Sequence, residues 1–168
     1  LPWYFERGSA SDAGWDRLRS DGQSTNPMGE PVVFGVDVAA GQQYEVMILT
    51  GDATWNHDKQ LFLVDDVPPP NPISTTPPLP AGSQVVDTWG GGAPEGGANI
   101  INGGGTPNAS GTTGYYRWIR FTTDSATGKL YMTMKDLGGA DPAAVILAMD
   151  IRPVDTVGKL TITGGPVF

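Results

Sequence analysis

The chain contains no cysteine, which excludes disulfides, thiolate nucleophiles and cysteine-bound metals. Its single histidine, His57, excludes every metal site built on several imidazoles. Basic residues are scarce: ten Lys and Arg against 18 Asp and Glu give a formal charge of −8. Such a field suits neither nucleic acid nor an anionic membrane surface. No apolar run approaches the length of a membrane span. Charged residues make up only 17% of the chain, fewer than the surface of a helical protein requires.

What is abundant is Gly (24) and Pro (15), a balance that favours an all-β, loop-rich protein. A length of 168 residues suits one domain with a real core. No signal peptide precedes Leu1, and the chain reads as a mature fragment or an excised module.

Period-2 apolar runs mark the strands. Trp3–Glu6 forms a short first strand, and Ser11-Asp12 offers a cap for one helical turn through Arg19. Val32, Phe34, Val36 and Val38 alternate, then Ala-Ala-Gly-Gln leads into Tyr44–Thr50, which predicts a hairpin. Lys59–Val64 follows as another strand. A second hairpin is predicted from Tyr115–Thr122 and Lys129–Lys135 around DSATG, with Ile119, Phe121, Met132 and Met134 on one face. Its other face then carries Tyr116, Trp118, Arg120 and Tyr131, a stripe able to bind a flat polysaccharide or to lie under a loop. Val145–Arg152 reads as a strand buried on both faces, and Gly158–Thr163 as a last short strand or part of a tail over 154–168. Between the two strand-rich parts, 67–114 is a Pro/Gly-rich loop insertion with a short strand at Gln84–Thr88.

An opening aromatic strand ending in Gly8, the run VDVAAGQQYEVMILTGDA and above all DLGGADPAAVILAMDIRP resemble domains of the galactose-binding-like superfamily. Malectin and the family 6 and 35 carbohydrate-binding modules share that fold, and the version most similar recurs in large secreted bacterial proteins. The likeness covers roughly residues 1–66 and 115–153. Where many such domains carry Phe-Asp-Phe-Gly, this chain has Tyr4-Phe5-Glu6-Arg7-Gly8. The resemblance implies a single antiparallel jelly-roll β-sandwich of about eight strands. It also implies a non-catalytic module, secreted or held at a bacterial cell surface, beside neighbouring domains of a larger protein. Relatives frequently hold a structural calcium; Glu6 and Asp150 occupy comparable positions here. In malectin-like relatives an Asp before the last strand contacts sugar, a place matched by Asp141.

The expected ligand is a polysaccharide or glycan. Sugars require an aromatic platform and short polar side chains, and the loop DATWNHD supplies Trp55, Asn56, His57 and Asp58 within four positions. Trp89, between Asp87-Thr88 and three glycines, is a second platform. Each Trp reads equally as a plug for one end of the sandwich. Tyr116 and Trp118 complete the ligand-binding candidates, with Asp141. Two rival functions stand beside glycan binding: a structural or adhesion domain with no free-sugar ligand, and a small carbohydrate esterase or glycosidase. The second meets no Gly-x-Ser-x-Gly elbow around His57. The functional reading of Asp136 and Asp141 competes with a tight Asp-Gly turn in which each bonds its own backbone.

Overall fold

The computed structural model describes residues 3–6, 21–25, 30–52, 57–70, 72–74, 76–88, 100–107, 113–139 and 141–154, with backbone alone at 3–6, 21–24, 100–107 and 113–115. Among them are eleven strands and no helix. They are β1 (Trp3–Glu6), β2 (Asp21–Ser24), β3 (Val32–Asp37), β4 (Gln42–Gly51), β5 (Gln60–Asp65), β6 (Gln84–Val86), β7 (Ile100–Pro107), β8 (Thr113–Ser125), β9 (Lys129–Asp136), β10 (Val145–Ile146) and β11 (Ala148–Pro153). The helical turn expected at 11–19 and the tail at 155–168 lie outside the described residues.

Two four-stranded sheets, in the orders β11-β4-β8-β7 and β3-β9-β5-β6, face each other, and a smaller sheet joins β1, β2 and β10. Every recorded pairing is antiparallel. The apolar alternation points each inner face at the other sheet. Tyr44, Val46, Ile48, Ile119 and Phe121 come from one sheet; Phe62, Val64, Val86, Leu130, Met132 and Met134 come from the other. Together they make one buried core, the arrangement of a β-sandwich.

Both expected hairpins are instead crossings between the sheets. β3 pairs with β9, whereas β4 pairs with β8 and β11. β8 pairs with β4 and β7, whereas β9 pairs with β3 and β5. Ile119, Phe121, Met132 and Met134 do share one core, but they meet from opposite walls. The two crossing turns brace each other. Val38 N–H donates to the Gly128 carbonyl (3.0 Å), and Gly41 N–H donates to that of Ser125 (2.6 Å). Gly41 and Gly128 supply the positive φ that these tight reversals need, at 75° and 79°. The Tyr44 hydroxyl pins the first turn by accepting from Ala39 N–H (2.8 Å) and donating to the Ala39 carbonyl (3.2 Å).

Three further expectations change. The run from Val145 divides at Leu147: β10 joins the small sheet through β2, and β11 is a half-exposed edge beside β4 rather than a strand buried on both faces. The segment 67–114 contains two strands: β6, which was expected, and β7, which pairs with β8 through an irregularity at Asn102/Gly105. The strand that is buried on both faces is β5. Leu61 and Leu63 point away from the core yet stay buried. Ile73 of the Pro-rich stretch is buried too, and Gly82 lies against Leu63.

Candidate functional site

The sandwich has two unlike ends. The crossing turns close one. At the other, where β4 and β9 end and β5 begins, the inner faces turn from apolar to polar. Thr50 and Asp52 follow Ile48; Arg117 precedes Ile119; Gln60 precedes Phe62; Asp136 follows Met134; Thr88 follows Val86. All of these are buried, with Asp52, Gln60 and Thr50 wholly inaccessible. Buried polar groups persist only when bonded. The Gln60 side-chain carbonyl accepts from the Thr50 hydroxyl (3.0 Å) and from Val145 N–H (2.9 Å). Thr25 and Ala144 exchange bonds, Ala144 N–H to the Thr25 hydroxyl (3.0 Å) and Thr25 N–H to the Ala144 carbonyl (2.9 Å), which fastens the small sheet beside this layer.

His57 lies at the centre of this polar layer. Its N–H donates to the Thr88 hydroxyl (2.9 Å), and its carbonyl accepts from Thr88 N–H (2.8 Å). The imidazole is buried between two carboxylates: Nδ1 lies 2.6 Å from Asp141 Oδ2, and Nε2 lies 3.7 Å from Asp52 Oδ2. The first distance is a short charge-assisted hydrogen bond; the second is ion-pair range without a bond. Burial disfavours charge on the ring, but the hydrogen bond to Asp141 and the charges of Asp141 and Asp52 outweigh it, so His57 holds its proton above the usual imidazole range.

The DLGGADP loop is built around the same group. Asp136 accepts from Gly138 N–H (3.0 Å), and Asp141 accepts from Ala143 N–H (3.0 Å), so each makes the Asx turn that competed with a ligand role. Asp141 N–H in turn donates to Asp58 Oδ1 (3.0 Å). Gly139 is where the Asp58 carboxylate nests: a Cβ there would collide with it. Burial pushes the Asp136 carboxyl up; Gly138 N–H opposes this, and the charges of Asp141 and Asp58 add to it.

Of the rim candidates, then, His57, Asp58 and Asp141 are brought together, bonded to one another. Trp55, Asn56 and Trp89 lie outside the described residues. Sequence reasoning missed Asp52, Gln60, Thr88 and Arg117. Their available signal was a polar residue at an inward position next to an apolar one at the end of each strand.

The outer face of β11-β4-β8 carries a different feature, an open groove of about 320 Å³ lined by Glu45, Met47, Trp118, Arg120, Asp150 and Arg152. Trp118 is half-buried opposite Leu49. Arg120 pairs with Glu45 (3.3 Å) and Arg152 with Asp150 (2.6 Å), all four at least partly exposed at the groove's edges. The expected stripe is divided here. Trp118 and Arg120 line the groove, Tyr116 is wholly buried, and Tyr131 belongs to the other sheet, packed under Gly35.

The two calcium candidates do not share a sheet: Glu6 is on β1, and Asp150 is on β11 with its carboxylate bound to Arg152. Among the described residues, no three His, Cys, Asp or Glu groups are placed to hold a metal ion. Nor is any helix long and apolar enough to cross a membrane. Comparison with known proteins finds no matching family model, no similar curated protein and no similar solved structure.

Proposed function

We propose that this chain is a non-catalytic carbohydrate-binding domain whose ligand lies across the outer face of β11, β4 and β8, on Trp118. The groove carries the reading. A sugar ring needs an apolar face to stack its C–H surface and planar polar groups to hold hydroxyl pairs. Trp118 and Met47 supply the first. Glu45, Arg120, Asp150 and Arg152 supply the second, held in place by their own ion pairs. Secretion, a larger parent protein, jelly-roll connectivity and a structural calcium accompany this reading and rest on the superfamily resemblance.

The imidazole arrangement supports a non-catalytic role. Both nitrogens of His57 face carboxylates, which leaves neither to take a proton from a nucleophile. The same self-bonded rim favours a second reading, a structural or adhesion domain, because His57, Asp58 and Asp141 spend hydrogen bonds on one another that a rim ligand would need.

The test is titration of plant, algal and microbial polysaccharides while Trp emission is followed. Binding is expected to weaken by about 2 kcal/mol, roughly 30-fold, in Trp118→Ala. Binding retained in that variant would move the site to the rim. No binding across the whole series would favour the adhesion reading.

A further inference from the structure

His57 sits where three connections meet. Its backbone is bonded to Thr88 beyond β6, its neighbour Asp58 accepts from Asp141 N–H, and its ring bridges Asp141 and Asp52. The His57 side chain is only 5% exposed, and that of Asp52 is not exposed at all. A neutral imidazole has one N–H and one lone pair. Whichever nitrogen keeps the proton, the other turns a lone pair toward a carboxylate. Only the imidazolium donates toward both sides, and only it matches a carboxylate on each, that of Asp52 wholly buried and that of Asp141 partly so.

We propose that His57 is a proton-dependent clasp: as the imidazolium it holds Asp52 at the end of β4 and the entry to β5 against Asp141 before β10, and on losing its proton it lets these contacts open. The surrounding charges all bear on the direction. Asp52 faces the ring from the end of β4, and Asp58 comes from its own loop. Asp136 and Asp141 come from the end of β9 and the connection after it, while Asp87 beyond β6 binds Lys59 N–H (2.5 Å). Arg117 on β8 and Lys135 on β9 are the buried cations described at this end. Burial resists the proton on the ring, and the two carboxylates that flank it, Asp141 and Asp52, favour it and prevail.

The sign follows from linkage. The folded-state affinity for the proton exceeds that of a free imidazole at 6.5, so the clasp contributes fully below pH 6.5 and is lost as pH rises through the higher folded value. Opening does not require unfolding, because the core below this layer is apolar and contains no group that titrates in that range.

A single histidine makes the experiment direct: one imidazole Hε1 signal in the intact protein reports the titration. The expected midpoint lies above 6.5, and it falls in Asp141→Asn, which removes the charge but keeps an acceptor. Amide exchange, corrected for base catalysis, should accelerate across the same midpoint at Thr88, Leu137 and Asp141, whose N–H groups hold the rim, and not at Phe62 or Met134 in the core. A midpoint at or below 6.5 in the native protein overturns the proposal, whatever the variant does. So does a higher midpoint with no selective change in rim exchange, which would make His57 a static part of the layer.

Discussion

Gly139 and Asp136 carry the sharpest consequences at the scale of single residues. In Gly139→Ala the new methyl group falls on the Asp58 carboxylate, which must leave Asp141 N–H. Overpacking of this kind costs about 1–3 kcal/mol. The control is Gly138→Ala, where φ is +82° and no atom stands within 4 Å of the new Cβ. That variant should lose only the left-handed backbone preference, about 1–2 kcal/mol, without moving the His57 or Asp141 resonances. Equal shifts at Asp141 in both variants would mean that Gly139 does not cradle Asp58. Asp136 behaves oppositely. Its folded carboxyl holds a proton more tightly than a free carboxylate at 3.8, chiefly through burial, so it favours the fold below that value and loses this as pH rises. Asp136→Asn keeps the acceptor for Gly138 N–H and removes repulsion with Asp141 and Asp58. It should therefore raise the melting temperature at neutral pH, with the gain vanishing below pH 3.8; a lowered neutral-pH melting temperature would refute this. His57, Asp58 and Asp141 were legible because a lone histidine beside Asp, and Asp before Pro in a Gly-rich loop, stand out in any sequence. Asp52, Gln60, Thr88 and Arg117 were not, because one polar residue at the end of an apolar strand reads as the point where the strand meets solvent.

Among the elements, the decisive feature is that β3 to β4 and β8 to β9 change sheets. Alternation reports which side chains are buried. It is silent on whether their partners are beside them in one sheet or across the core, and both cases give the same pattern. Loops of a few residues make a hairpin the ordinary expectation. What decides here is tertiary: the two turns bond each other, and Tyr44 holds Ala39. β7 was hidden for another reason, since NGGG carries no strand propensity and its pairing with β8 is all that makes it a strand. The sandwich assigns unlike weights to similar residues. Met134, fully buried between the sheets, should cost about 2–5 kcal/mol when replaced by Ala. Met47, half-exposed in the groove on the outer face, should cost under about 1 kcal/mol and act on ligand binding instead. Denaturant midpoints decide it, and comparable losses at the two sites would contradict the assignment of faces.

For the molecule as a whole, net charge and ion pairs pull in opposite directions with salt. The recorded Lys and Arg pairs, Arg120–Glu45, Lys129–Asp37 and Arg152–Asp150, are all at least partly exposed. Such solvated pairs contribute little, and each weakens as salt screens it. Against them stands a formal charge of −8, whose self-repulsion is relieved over the same range as the screening length contracts to about 10 Å at 0.1 M. Pairs this solvated are outweighed, so sodium chloride should raise the melting temperature between low and moderate ionic strength. A fall would mean that the pairs dominate. The same series provides the baseline for calcium. Screening depends on ionic strength alone, whereas a bound ion stabilises by mass action, by about 2.7 kcal/mol at a hundredfold excess over its dissociation constant. Calcium that raises the melting temperature beyond sodium at equal ionic strength, with the excess removed by chelator, would support a bound ion. If Asp150→Asn then abolishes the excess, Asp150 is a ligand despite its pairing with Arg152. Curves that coincide at matched ionic strength would leave Asp150 as one half of an ion pair at the groove's edge, and the proposed calcium would fall.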